Sequence, residues 1–383
     1  MSAANGDSPV SMTSVPGTVE GDGVRLRPYR VGDVPDVAAA CADPLTQRFI
    51  SGMPSPYTEA DARWWVTEGA PAARAAGGAS YAIADPATDR LLGGAGLGNL
   101  VPVRGQAELG YWVAPWARGR GVATAATRAL AAAAFAHGTA RLELLTHPEN
   151  TASQRVALAA GFRHEGVRRA ANLARGGGRQ DLVCWVRLVD DPPGPVPRLL
   201  PDLPGGRLTD GVVTVRPVGP DDAEALFALH SLPEVVANRV PPRAPTPADV
   251  ERRCRLAGTR WLAGEAADLA IVDAHTGELA GGCMLYHDEQ ATGQAMIGFS
   301  LLPAGRGRGL ATRAVRLVTG WAFDGVGLAR VWAGTRPENA ASQRVLERAG
   351  FTREGLLRGR LPGPDGTRVD SVQYARLATD ELR

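Results

Sequence analysis

Thr146-His-Pro-Glu-Asn-Thr-Ala-Ser-Gln-Arg-Val156, running on through Ala160-Gly-Phe162 to Glu165-Gly166, comes back as Thr335-Arg-Pro-Glu-Asn-Ala-Ala-Ser-Gln-Arg-Val345, Ala349-Gly-Phe351 and Glu354-Gly355. Of the 21 positions in this window, 14 are identical. Upstream lies a second shared block, Arg118-Gly-Arg-Gly-Val-Ala-Thr124 and Arg306-Gly-Arg-Gly-Leu-Ala-Thr312. The offsets are 309 − 121 = 188 and 339 − 150 = 189, so one net residue separates the two registers. A solenoid unit repeats every ~20–50 residues. This period is instead the length of a whole domain. The 383 residues therefore read as a tandem duplication, and every position has an internal counterpart against which it can be compared.

Outward from the two blocks, the same elements recur in both halves. Val24-Arg-Leu-Arg-Pro28 and Val213-Thr-Val-Arg-Pro217 read as first strands, each followed by an acidic helix start at Asp33 and at Asp221-Asp222. Residues 54–69 and 245–258 read as second helices. Residues 80–85 and 91–97 read as a hairpin, matched by 268–273 and 279–285. Strands 107–113 and 295–301 lead into the Arg-Gly-Arg-Gly blocks. Helices over 122–136 and 310–323 follow, then strands 142–146 and 331–335 and helices 151–160 and 340–349. Each of these last helices closes on Gly-Phe, which suits a left-handed C′ glycine and an apolar residue folding back. Final strands span 180–188 and 368–377. The expected fold class is α/β in the broad sense, an α+β mixed sheet with helices on its faces, occurring twice. The expected organisation is a mobile tail over 1–20, a first domain over 21–189, a stiff Pro-rich linker over 190–209, and a second domain over 210–383.

Composition narrows the function classes. There are 42 basic and 40 acidic residues, and every basic residue is arginine. Schiff-base chemistry and a lysine base are excluded. The near-neutral balance and the lack of basic runs argue against a nucleic-acid footprint. Cys41, Cys184, Cys254 and Cys283 form no CxxC pair and read as free thiols of a reducing compartment. No signal-peptide pattern opens the chain, and the longest apolar stretch, 129–136, is too short to span a bilayer. The expectation is a soluble cytoplasmic protein with no membrane or nucleic-acid partner and no metal site.

The Arg-Gly-Arg-Gly block carries the chemistry. It joins a strand to a helix, where the first-turn amides lack intrahelical partners and the dipole places roughly half a positive charge. Glycines there let the backbone approach a phosphate, and flanking arginines can add charge-assisted bonds. With no Gly-Lys-Ser/Thr, it is not a Walker loop. Gly93-Gly-Ala-Gly-Leu-Gly98 fails the dinucleotide spacing and reads as the glycine-rich end of a hairpin.

Together, Arg-x-x-Gly-x-Ala at a strand-to-helix junction and the Pro-Glu-Asn-x-x-Ser helix with its Gly-Phe-x-x-Glu-Gly exit resemble the GCN5-related N-acetyltransferases (GNAT), and within them the RimJ/RimL-like branch. Glu108-Leu-Gly-Tyr-Trp-Val113 is similar to that branch's strand before the loop. The resemblance covers both halves, 24–189 and 212–377. It implies acetyl-CoA, or another acyl-CoA, as cofactor. It implies that the amides of Arg118, Gly119, Arg120, Gly121, Val122, Ala123 and Thr124 hold the pyrophosphate. Arg306, Gly307, Arg308, Gly309, Leu310, Ala311 and Thr312 would do so in the second copy. Val113 and Leu301 would pair with the pantetheine, and Asn150 and Asn339 would contact the cofactor arm or simply cap their helices. Ser153 and Ser342 would protonate the leaving thiolate, and Glu108 would act as base. The counterpart of Glu108 is Met296, which cannot accept a proton. Where the family often has Glu after the loop threonine, this chain has Ala125 and Arg313. The implied reaction is direct acetyl transfer to a primary amine, on a small molecule or a peptide N-terminus, with the first copy the main catalyst. Two alternatives stay open: one catalytic copy beside a non-catalytic copy supporting it as a pseudo-dimer, or a non-catalytic acyl-CoA sensor.

Overall fold

The structure, a computed structural model, describes residues 14–363 and 366–381. It divides into two units, Met1–Pro197 and Arg198–Arg383. In the first, β1 (Val19–Gly21), β2 (Val24–Arg27), α1 (Val34–Ala42), α2 (Pro44–Phe49), α3 (Glu59–Trp64) and α4 (Ala70–Ala75) precede the hairpin β3 (Ala79–Ala84) and β4 (Leu91–Val101). Then come β5 (Gln106–Val113), α5 (Val122–Ala136), β6 (Arg141–Thr146), α6 (Thr151–Ala159), β7 (Arg163–Leu173) and β8 (Arg179–Leu188). The sheet order is β1-β2-β3-β4-β5-β6-β8-β7, antiparallel except for the parallel pair β5–β6.

The second unit repeats this plan. It holds β9 (Leu208–Thr209), β10 (Val213–Pro217), α7 (Ala223–His230), α8 (Pro233–Ala237), α9 (Pro247–Leu262), β11 (Ala266–Asp273), β12 (Leu279–Glu289) and β13 (Gln294–Leu301). After these follow α10 (Leu310–Asp324), β14 (Arg330–Thr335), α11 (Ala340–Arg348), β15 (Thr352–Pro362) and β16 (Arg368–Leu377). Its sheet order, β9-β10-β11-β12-β13-β14-β16-β15, is the same succession, with β13–β14 parallel. The expected mixed sheet with helices therefore forms in each half. The acidic helix starts also have a tertiary role. Asp33 holds the buried Arg27 at 2.8 Å, and Asp222 holds Arg216 at 2.7 Å.

Four strands were not expected. β7 and β15 form one edge of each sheet and carry arginines and glycines on largely exposed positions, with no apolar alternation to announce them. β1 and β9 are three- and two-residue edge pieces. β1 shortens the expected tail, of which residues 1–13 lie outside the described residues; the Tyr81 hydroxyl also donates to the Pro16 carbonyl at 2.5 Å. The expected linker over 190–209 is shorter too. Leu200 and Leu203 are buried in the second unit's core, and the Trp261 indole donates to the Leu200 and Pro201 carbonyls, both at 3.1 Å. Leucines at these positions override the proline-rich composition.

The helix expected over 54–69 starts later, at a Thr58–Asp61 capping box, and passes through a π turn over Trp65–Gly69 into α4. Pro71, in the first turn of α4, has no N–H to continue the regular ladder. The counterpart helix α9 is continuous through the equivalent stretch.

Candidate active site

β5 and β6 pair only over Gln106–Glu108 and Arg141–Glu143, and beyond Glu108 they part. Alternate backbone amides of a strand point to opposite sides. Ala114 N–H donates to the Leu92 carbonyl on β4 at 2.9 Å, so the Val113 amide faces the opening that β6 has left. β13 and β14 part in the same way after Met296 and Trp332, with Leu302 bonded to Ala280 at 2.9 Å and the Leu301 amide facing the gap.

The two glycines of each block hold the chain in the left-handed region, with φ of 72° and 78° at Gly119 and Gly121, and 73° and 77° at Gly307 and Gly309. A Cβ at any of the four would point into open space. Gly121 and Gly309 are the N-caps of α5 and α10, so the amides that follow them are the helix's unpaired donors. This is a cradle shaped for an anion, and it fits the pyrophosphate of an acyl-CoA. The arginine side chains are placed differently from expectation. Arg118 turns away to Asp43 at 2.5 Å and to the Thr46 hydroxyl at 2.9 Å. That contact holds the Asp43 carboxyl below its usual range. In this copy, then, the block offers chiefly backbone amides, together with the exposed Arg120. In the second copy Arg308 pairs with Asp273 at 2.6 Å. Arg306 pairs with Glu234 at 2.7 Å and donates to the Leu301 carbonyl at 3.1 Å, so its guanidinium lies across the gap beside β13.

Asn150 and Asn339 cap α6 and α11, each accepting from the amide three residues on, Ser153 and Ser342, at 3.1 Å. Ser153 Oγ lies 2.8 Å from the Tyr111 hydroxyl. Burial pushes the Tyr111 phenol up, so it stays neutral and able to donate. Phe299 stands at the counterpart of Tyr111, so Ser342 lacks this phenol. Glu108 is half-buried and accepts from the Asn99 amide at 2.8 Å. Asn99 sits in a β4 bulge with φ 46°, a conformation tolerated by Asn more than by most side chains. The bulge aims its amide at the carboxylate. Opposite Met296 the second copy places Tyr286 and Trp332, which occupy the positions of Gly98 and Glu143.

In the first unit these parts share one cleft of about 1130 Å³, lined by Gly119, Gly121, Val122, Val113, Tyr111, Ser153, Asn150 and Glu108 together. Sequence reasoning missed Tyr111, Asn99 and Trp65. Trp65 lines the cleft while Trp64 is 60% exposed. The signal for Tyr111 was present in the Tyr111/Phe299 difference between the copies. Nothing local announced Asn99, whose role depends on a bulge. Glu165 and Glu354 serve as ion-pair partners of Arg141 and Arg330.

The family described as "Acetyltransferase (GNAT) domain" matches residues 24–163 and again 213–352. The chain belongs to this family, as two tandem copies of its domain. A stretch of 64 residues is 50% identical to "Probable N-acetyltransferase YjcK" of Bacillus subtilis, covering 17% of this chain and 35% of that relative. "Uncharacterized N-acetyltransferase p20" of Bacillus licheniformis is 30% identical over 146 residues, 38% of this chain and 82% of its own length. Among solved structures, Mycobacterium smegmatis RimJ in complex with CoA-disulfide is 28% identical, with a TM-score of 0.39, covering 45% of this chain and 85% of that one. A ribosomal-protein-S5-alanine acetyltransferase from Vibrio fischeri is 20% identical with a TM-score of 0.41, covering 45% of this chain and 97% of that one. Among the described residues, no helix is long and apolar enough to cross a membrane.

Proposed function

From membership in this N-acetyltransferase family, we propose that the first unit transfers an acetyl group from acetyl-CoA directly to a primary amine, and that it is the main catalyst of the chain. One observation carries this: a single cleft joins the glycine cradle to Val113, to the Ser153–Tyr111 pair and to Glu108. The amides of Gly119–Thr124 would hold the pyrophosphate. Bound acetyl-CoA supplies the acetyl group as a thioester.

Each remaining role falls to a residue of this chain. Glu108 receives the proton that an acceptor ammonium must lose before its lone pair can attack. The demand is modest for an α-amine of pKa about 7.7–8.0 and larger for a lysine at about 10.4. The Val113 amide faces the gap and can donate to the carbonyl oxygen as it gains charge. As the carbon–sulfur bond breaks, the Ser153 hydroxyl gives its proton to the sulfur and recovers one through Tyr111, the relay being refilled by the second proton that the nitrogen sheds as the amide forms. No covalent enzyme intermediate is needed. In the second unit Met296 cannot accept a proton and Phe299 cannot relay one. That favours one catalytic copy over two equal ones, while Glu108 and the Ser153–Tyr111 pair speak against a purely sensing role.

The test is Glu108→Gln. We expect kcat/KM to fall by about 10²–10⁴ while the affinity for acetyl-CoA, measured calorimetrically, is kept. Unchanged turnover in that variant would remove Glu108 as the base.

A further inference from the structure

The face of the first sheet that carries Glu108 has a floor without side chains. Residues directly opposite on paired strands share a face, and here the pairs are Gly94 with Trp112, Gly96 with Gly110, and Gly98 with Glu108. A Cβ at Gly98 or at Gly110 would meet nothing within 4 Å. From Glu108 to Trp112 the floor runs four residues, about 13 Å. Its far end is aromatic. The Tyr29 hydroxyl and the Trp112 indole nitrogen both crowd the place where a Gly94 Cβ would stand, at 2.2 and 2.5 Å. The Tyr29 and Trp65 rings meet edge to face at 6.4 Å.

The second unit keeps glycine at the counterparts of Gly94 and Gly110, Gly282 and Gly298, but fills the rest of the floor. At the counterparts of Gly96, Gly98 and Glu108 it carries Met284, Tyr286 and Met296, and at those of Tyr29 and Trp112 it carries Val218 and Ser300. Aligned on the capping boxes at Thr58 and Thr246, Trp65 becomes Arg253, which binds Asp268 at 2.5 Å. Charge in the first unit's cleft is sparse. Glu149 is paired with Arg48 at 2.5 Å, whereas Glu108 is held by the neutral Asn99 amide.

Resting on the acetyl-transfer reading, we infer that the acceptor of the first unit is a singly charged primary amine on a flat apolar ring, an arylalkylamine. The ring lies on the glycine floor against Tyr29, Trp65 and Trp112, and the ammonium reaches Glu108. Peptide planes and ring edges suit a flat apolar body. A polyamine or an aminoglycoside would bring several ammonium groups to a surface with one carboxylate to meet them, and burying the rest unpaired is costly.

The experiment follows thiol release by the full chain with acetyl-CoA and tryptamine, a peptide with N-terminal Trp, ethanolamine, spermidine or kanamycin. Tryptamine should exceed ethanolamine and spermidine in kcat/KM by about tenfold or more. The peptide arm tells whether the ring belongs to a free amine or to a chain end. Gly98→Tyr, which fills the floor where there is room for a side chain, and Trp65→Ala should each raise KM for tryptamine by about tenfold. Calorimetric binding of acetyl-CoA by both variants shows that they are folded. Preference for spermidine or kanamycin, or an unchanged KM for tryptamine in both variants, overturns the arylalkylamine inference and leaves acetyl transfer standing. Bound acetyl-CoA with no thiol release from any of these amines overturns both.

Discussion

Glu108 and Met296 occupy the same place on two copies of one strand, and their surroundings have diverged with them. Around Glu108 stand an amide donor and a bare glycine, and around Met296 stand Tyr286 and Trp332; farther along the strand Phe299 takes the place of Tyr111. A proton relay is a property of the pair, so Tyr111→Phe and Ser153→Ala should each lower kcat by about tenfold, and the double variant should be no worse than the poorer single one. Steady-state kinetics on the four proteins checks this, and additive losses would separate the two hydroxyls. A second residue-scale expectation concerns His230 in α7. Burial, reinforced by Arg253 and Arg239 and opposed by Asp268, pushes its imidazole down to about 4 from an ordinary 6.5. A folded-state pKa below the unfolded one means stability that is present above pH 6.5 and lost as the pH falls toward 4. Denaturant melts between pH 7 and 5 should show the second unit weakening in the wild type and a flatter profile in His230→Leu.

At the scale of elements, the helix starts do most to position the site. Asn150 and Asn339 cap α6 and α11 with the same bond at the same length. Removing either cap with Ala should cost about 1 kcal/mol of stability, measured by denaturant unfolding. The start of α5 is more demanding. Gly121 sits at φ 78° with open space where a side chain would go. Gly121→Glu should strain the turn and place a negative charge in the anion cradle. Calorimetry should then show no acetyl-CoA binding by the first unit, and retained affinity would mean that the cradle is not the cofactor site. The sequence made these helix starts legible because caps and glycine turns are local chemistry. The edge strands β7 and β15 were not legible, because a strand bonded on one side and wet on the other needs no apolar alternation. The break between α3 and α4 rested on one proline whose effect depends on the helix around it.

For the whole molecule, the duplication predicts two cradles, while the side chains predict unequal use of them. Arg306 spans the gap beside β13 and Arg308 is drawn to Asp273, whereas Arg118 leaves its gap for Asp43 and Thr46. Titration of the intact chain with acetyl-CoA should therefore give a stoichiometry near one at high affinity; two equal sites would show that the second unit gives up these contacts on binding. The sequence by itself determined the twofold repeat, the mixed sheet, the glycine turns that open α5 and α10, and the absence of a carboxylate at Met296. Each of these is written in residue identity at short or periodic spacing. Only the tertiary structure decided which groups meet. Tyr111 and Ser153 are 42 residues apart in the chain and 2.8 Å apart in space. Glu108 finds its amide through a bulge, and alternating glycines become a floor only when β4 and β5 pair. These are long-range juxtapositions, set by strand register and by the parting of β5 from β6, which no local pattern encodes.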